Sequence, residues 1–222
     1  MSFFLAPGVH AVQVHDDIVF LDTLADAYFC LGGAADLLAL GPGGQVEVTR
    51  QAPAVQLVEA GLLSRADPGP RSTPIAPTVS ARQVAPDPAR AQASARLRAP
   101  RSAMIAALGV SWTVSRRFSR ASFSQLLSGP PAALGAHDEP TPALLEAVRQ
   151  FERLRPWLPL PGECLLRSYH LRAFLRARGL DALWVFGVRT WPFAAHCWLQ
   201  AGVTALDDDL ERLVAYQPIL AV

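Results

Sequence analysis

Lysine is absent. All 20 basic residues of the 222-residue chain are arginine, and against 19 acidic residues they leave a formal net charge of +1. A chain this close to neutral has no broad positive field, which argues against a general electrostatic hold on nucleic acid. The exclusive use of arginine reads as a composition bias of the coding genome rather than as function. Cysteine is scarce: Cys30, Cys164 and Cys197 are an odd number without C-x-x-C spacing. Neither a disulfide framework nor a metal site is therefore expected. No G-x-x-x-x-G-K-[ST] phosphate loop occurs, and no cofactor is assigned. The start lacks a basic segment followed by an apolar one, so no signal peptide is expected. No apolar run approaches the ~20 residues of a membrane-spanning helix. These absences lead to the expectation of a cytoplasmic chain with no membrane or nucleic-acid partner. What is plentiful is apolar surface, 51% of residues, enough for one domain or two small ones.

The stretch Pro161-Gly-Glu-Cys-Leu-Leu-Arg-Ser-Tyr-His, running on to Arg178-Gly179, organises the rest. Pro161 and Gly162 mark a helix start, Glu163 puts an acid in the first turn, and Gly179 supplies the stop. Leu165, Tyr169 and Ala173 share a stripe with Leu171 and Leu175 beside it, and Arg172 and Arg176 lie one turn apart on a polar face. Cys164 then sits in the first turn, where unpaired N–H groups and the helix dipole favour a thiolate. A lone helical cysteine is more often a packed thiol; what lies downstream changes that balance.

After Gly179 the pattern becomes extended. Ala182 to Val188 is a short apolar strand, Arg189-Thr-Trp-Pro192 a turn, Phe193 to Gln200 a strand carrying His196, and Val203 to Leu206 a third strand running into Asp207-Asp208-Asp209. A cysteine nucleophile needs an imidazole to take and return a proton, and the imidazole needs a carboxylate to fix its tautomer. Cys197 alternates to the face opposite His196 and reads as a packed thiol, as does Cys30.

These residues also carry a family resemblance. Cys164-Leu-Leu-Arg-Ser168, Gly187-Val-Arg189, Pro192-Phe193, Ala195-His-Cys-Trp198 and the Asp cluster resemble the transglutaminase-like cysteine protease of lasso peptide biosynthesis, the B protein or leader peptidase, from about Leu144 onward. The resemblance implies Cys164 as nucleophile and His196 as base. Asp208 matches the acidic member best by spacing, with Asp207 and Asp209 on either side. Gln200 stands where relatives often carry Glu. The resemblance further implies a precursor peptide as substrate and an ATP-dependent, asparagine-synthetase-like cyclase as partner.

The first part of the chain reads as a smaller α+β unit. Val9 to Val14 and Ile18 to Leu21 form a hairpin about an Asp-rich turn, and Tyr28 to Leu31 is a third strand. Ala34 to Leu40 reads as a short helix, stopped by Gly41-Pro42-Gly43-Gly44, and Pro53 opens a second that ends at Gly61. Three strands and then short helices make a winged-helix-like layout. Asp22 to Leu31, Ala34-Ala-Asp-Leu-Leu38 and Leu57-Val-Glu-Ala-Gly-Leu-Leu63 resemble the peptide-recognition domain of modified-peptide pathways, similar to the pyrroloquinoline-quinone chaperone. That implies leader binding by strand addition at Tyr28, Phe29, Cys30 and Leu31.

Residues 67–100 are rich in Pro, Ala, Arg and Ser and read as a linker unable to bury a core of its own. Helical spacing returns at Ile105, Leu108 and Trp112, and Thr141 caps a helix that carries Pro142, Leu144, Val148 and Phe151. Arg116, Arg117 and Arg120 read as a solvated helix face. The expected organisation is α+β throughout: a recognition domain over 1–66, a linker over 67–100, and a transglutaminase-like or papain-like cysteine protease domain over 101–222. The expected function is removal of a leader from a lasso precursor. Two other readings remain. A Cys-His-Asp acyltransferase of the arylamine acetyltransferase type shares the residue order. A non-catalytic peptide-binding scaffold would make the triad a coincidence.

Overall fold

The computed structural model describes residues 2–67, 69, 71, 74–81, 109, 114–128, 138–157 and 164–222. The chain opens with β1 (Ser2–Leu5), β2 (Val9–Val14), β3 (Asp17–Asp22) and β4 (Ala27–Leu31). β5 (Leu38–Leu40), β6 (Gln45–Val48), α1 (Gln51–Glu59) and β7 (Leu63–Ser64) follow. The strands form two sheets, β5-β6-β1-β7 and β2-β3-β4, with antiparallel pairing throughout. The hairpin expected about the Asp-rich turn forms, with His15 in the left-handed region. Asp22 Oδ1 closes the next turn, accepting the N–H groups of Leu24 and Ala25 at 2.8 and 3.0 Å.

The layout of three strands and short helices gives way to seven strands, one α-helix and a single 3₁₀ turn at Pro42–Gly44 over the described residues of this stretch. Ala34–Leu40 is not a helix: a turn leads into β5, pinned where Ala35 N–H donates to Asp16 O and Thr49 N–H to Leu37 O. A segment this short forms too few intrahelical bonds to offset nucleation, whereas β6 offers a ready ladder. Neither β1 nor β6 is among the strands expected from the sequence; β6 alternates polar and apolar over Gln45-Val-Glu-Val48, and together the two strands bury Phe3, Leu5, Val46 and Val48.

β3 explains how the two ends of the chain come together. Ile18, Val19, Phe20 and Leu21 are all fully buried. Ile18 and Phe20 face a core with Phe3, Val46 and Leu57. Val19 and Leu21, with Val14 of β2, face the core of the remaining chain. A strand covered on both faces reads as a continuous apolar run, and this one does.

The second part holds α2 (Phe123–Leu127), α3 (Pro142–Leu154), α4 (Cys164–Arg176), β9 (Leu183–Arg189), β10 (Ala194–Ala201), β11 (Thr204–Ala205), α5 (Leu210–Leu213) and β12 (Gln217–Ala221). Its sheet runs β12-β9-β10-β11-β8. β8 (Val79–Ser80) comes from the stretch read as linker and pairs in parallel with β11. It needs no core of its own, because β11 supplies the ladder and the sheet buries Ser80. Thr141 caps α3 as expected, its Oγ1 accepting Leu144 N–H at 3.2 Å. Leu144, Val148, Phe151 and Leu154 meet α4 and the sheet in one core, with Phe151 and Phe174 rings 5.3 Å apart. None of the described helices is long and apolar enough to cross a membrane. The start signals at Pro161, Gly162 and Glu163 and the spacing of Ile105, Leu108 and Trp112 lie outside the described residues.

Candidate active site

Helix α4 starts at Cys164 and ends where Gly179 adopts φ +69°. It is buried on more sides than its sequence implied. Arg172, expected on a polar face, is 4% exposed; its Nη2 donates to Val222 O at 2.9 Å and its Nε approaches Asp181 at 3.5 Å. Arg176 joins the same carboxylate at 3.0 Å. The ion pairs and the carbonyl satisfy charges that would otherwise keep this face in water. The far side of α4 lies against the sheet, and its first turn meets β10 near His196.

The approach of β9 to β10 depends on Gly187, which pairs with His196. A Cβ at Gly187 would lie 2.8 Å from Trp198 Cη2 and 3.1 Å from Tyr216 Cβ. Without it, the His196 ring sits between Trp198 and Tyr216, at centroid distances of 6.3 and 5.3 Å. His196 Nε2 bonds Asp208 Oδ2 at 2.6 Å. That leaves Nδ1 for Cys164, whose sulfur is near enough to act on the imidazole's titration.

The three aspartates take three different positions. Asp208 Oδ2 also accepts from Arg167 Nη2 at 2.8 Å, and its Oδ1 accepts the Asp209 N–H at 2.9 Å. Ser80 Oγ of β8 donates to the Asp208 carbonyl at 2.9 Å, so the supposed linker holds the backbone of this residue. Asp207 is fully buried and turned elsewhere: its Oδ1 accepts Leu199 N–H at 2.8 Å. Asp209 sits at the start of α5. Strand alternation does not separate them, because β11 ends at Ala205 and residues 206–208 form a bend.

The electrostatics follow from this geometry. The neighbouring Cys197 thiol is the largest influence holding Cys164 down at about 4; burial opposes it, and the His196 imidazole and Cys197 N–H assist. Burial works to lower His196, but the Asp208 carboxylate and the Cys164 sulfur outweigh it and raise the ring to about 9. Burial likewise acts to raise Asp208, yet the hydrogen bond from His196, the Asp209 N–H and the Arg167 guanidinium hold it well below the usual carboxylate range. Burial wins at Asp207, which rises to about 6. A thiolate and an imidazolium side by side, oriented by a carboxylate, can attack a carbonyl carbon and protonate a leaving group.

Sequence reasoning assigned no role to several residues here. Arg167 is buried between Asp207 and Asp208, at 3.7 and 2.8 Å; an arginine three residues after Cys164 was the available signal. Ser168 Oγ donates to Cys164 O at 2.8 Å and accepts the Trp184 indole N–H at 2.8 Å. Cys197 faces away from His196, as alternation requires, and is buried, with its sulfur 3.4 Å from Ser168 Oγ. The Gln200 amide donates to Ile75 O and Gly202 O at 3.0 and 2.8 Å, which a Glu carboxylate could not do.

The expected peptide-binding residues form β4, an edge of its sheet. Tyr28 pairs with Leu21 and Cys30 with Val19, so both look toward the second core; Phe29 and Leu31 look the other way. Phe29 and Cys30 are exposed, so Cys30 is not the packed thiol expected from the sequence: it lies on the edge strand with no element covering it among the described residues. Tyr28 lies 5.8 Å from the Phe193 ring, three residues before His196. Burial raises its phenol above the ordinary range, and the nearby Cys197 and Cys164 sulfurs add to the rise. The Trp191 indole N–H reaches Asp17 Oδ2 at 2.8 Å, tying the β9–β10 turn to β3.

Residues 104–221 match the transglutaminase-like superfamily. The chain is also similar to the microcin J25-processing protein McjB of Escherichia coli, 44% identical over 47 residues, which cover 21% of this chain and 23% of that protein. The chain therefore spans about a quarter of the length of that relative. No solved structure matches the chain.

Proposed function

The chain belongs to the transglutaminase-like superfamily, and from that membership we propose that it is a cysteine peptidase that removes the leader of a ribosomally made lasso precursor peptide. The observation that carries the reading is a hydrogen-bonded His196–Asp208 pair beside Cys164, which stands at the head of α4. Two further observations support it. The similar Escherichia coli protein is named for processing microcin J25. The strand edge of β4 lies beside the site through Tyr28 and Phe193.

In this reading the leader adds to β4 as a further strand, contacting Tyr28, Phe29, Cys30 and Leu31. The Cys164 thiolate attacks the carbonyl carbon at the leader–core junction, a C–S bond forms, and the oxygen takes the negative charge. The Cys164 backbone N–H, in the first turn of α4, is the donor this reading assigns to that oxygen. His196 gives its Nδ1 proton to the leaving nitrogen, the C–N bond breaks, and the core departs with a free amine. Water then yields a proton to His196 and attacks the thioester, releasing the leader carboxylate and restoring thiolate and imidazolium. Asp208 stabilises the imidazolium and fixes its orientation, and Arg167 and Ser80 fix Asp208. The freed amine is the nucleophile that macrolactam closure by an asparagine-synthetase-like cyclase would consume.

The test is incubation of the purified chain with a lasso precursor, read by mass spectrometry. Separate leader and core fragments, lost in Cys164→Ala, are the expected result. Acetyl transfer from acetyl-CoA to an arylamine, with the precursor untouched, would instead establish an acyltransferase.

A further inference from the structure

We propose that Asp17 is a positioning residue for the reaction. Its buried carboxylate ties the β9–β10 turn to the end of β4, and so fixes the offset between the edge that takes the leader and the strand that carries His196. The proposal rests on the peptidase reading and on leader addition at β4, and goes beyond both.

Asp17 opens β3 and is 6% exposed. Its two oxygens serve two different elements. Oδ1 accepts the N–H of Gly33, two residues past the end of β4, at 3.0 Å. Oδ2 accepts the indole N–H of Trp191, in the turn between β9 and β10, at 2.8 Å. A carboxylate binds a donor about twice as strongly as a neutral acceptor does, and burial strengthens the bond further.

Packing does not account for Trp191. It is 77% exposed, yet it holds φ +51°, a region that bulky residues enter only where their surroundings demand it. The indole bond to Asp17 supplies that demand. Two residues on, Phe193 meets Tyr28 of β4 with ring centroids 5.8 Å apart. The turn is thus fastened to the β3–β4 pair twice, by a hydrogen bond and by a ring contact.

β10 needs this second hold. From Ala194 to Leu199 it pairs with β9 alone, because β11 pairs only with Gln200 and Ala201. His196 lies within that half-paired stretch, three residues after Phe193. A leader strand on β4 and the scissile bond beside His196 belong to one peptide. The offset between the two elements therefore decides whether that bond arrives at attack distance, and a misplacement of about 1 Å can cost roughly 10²-fold in rate. Asp17 acts through Trp191 and Gly33, not on the reacting atoms.

The experiment uses the full chain and two substitutions. Trp191→Phe keeps a ring and removes the donor; Asp17→Asn removes the charge. Four quantities are measured: single-turnover cleavage of a lasso precursor, leader affinity by fluorescence polarisation, alkylation of Cys164 by iodoacetamide, and deuterium uptake of the peptide covering residues 190–196. Both variants should take up deuterium faster there and cleave about tenfold more slowly, with leader affinity and Cys164 alkylation unchanged. The double variant should cleave no more slowly than the slower single one, because both substitutions break the same bond. If Asp17→Asn does not fold, the exposed Trp191 still carries the test. Unchanged uptake or unchanged cleavage in Trp191→Phe overturns the proposal. So does a fall in Cys164 alkylation that matches the fall in cleavage, which would make the bond a matter of general structure, and so do losses that add in the double variant. Failure of the peptidase reading appears separately, as a precursor left intact by the wild-type chain while the difference in uptake persists.

Discussion

Replacing Asp208 by Asn removes a charge and forces a donor conflict. In the native chain Asp208 accepts three hydrogen bonds and donates none: His196 Nε2 at 2.6 Å, Arg167 Nη2 at 2.8 Å and Asp209 N–H at 2.9 Å. An amide has one oxygen and one NH₂. With the NH₂ toward His196, it faces the Arg167 guanidinium and turns the imidazole to the wrong tautomer. Flipped, it faces the Asp209 N–H, and His196 keeps an acceptor but loses the negative charge that stabilises its protonated form. Either way the thiolate–imidazolium pair is weakened. The serine-protease precedent for losing the orienting carboxylate is roughly 10⁴-fold in kcat, about 5 kcal/mol of transition-state stabilisation. The assay is kcat/KM for precursor cleavage alongside leader affinity by fluorescence polarisation, which should not change because β4 is untouched. The control is Asp207→Asn, which keeps an oxygen for Leu199 N–H and relieves a buried carboxylate; it should stay within a few-fold of wild type. A crippled Asp207→Asn beside an active Asp208→Asn would refute the reasoning.

Cleavage should follow a bell-shaped pH profile, because the reactive form has Cys164 deprotonated and His196 protonated. The acid limb of kcat/KM should fall near 4 and the alkaline limb near 9, and an alkaline limb below 7 would contradict the ion pair. Gly187→Ala should destabilise the chain by about 1–3 kcal/mol in urea unfolding, since the new methyl meets the Trp198 ring and Tyr216 at distances that force a shift. A chain cut within residues 82–100 should elute as one complex in gel filtration, because Val14, Val19 and Leu21 share a core with α3, α4 and β9; separation of the halves would count against that shared core.

What could be read from the residues alone was what local chemistry dictates. The Thr141 cap, the Gly179 stop and the Asp-rich hairpin turn each depend on a few neighbouring residues. What could not be read depended on distant partners. Arg172 looked solvated because its carbonyl acceptor lies at the end of the chain, at Val222. Arg167 gained meaning only from two aspartates some forty positions later. Ala34–Leu40 has a helix-forming composition, and only the adjacent β6 draws its end, Leu38–Leu40, into a strand. Val79–Ser80 reads as linker until β11 pairs with it. The face of Cys197 follows from alternation, but its place beside Ser168 follows from the packing of α4 on the sheet, which no periodicity encodes.

The most direct measurement of the central claim is precursor cleavage by wild type and by Cys164→Ala, with leader affinity determined on the same two proteins. The account predicts complete leader removal by wild type. It predicts no detectable fragments from Cys164→Ala, with leader affinity equal in both. Cleavage by Cys164→Ala near the wild-type rate would contradict the account.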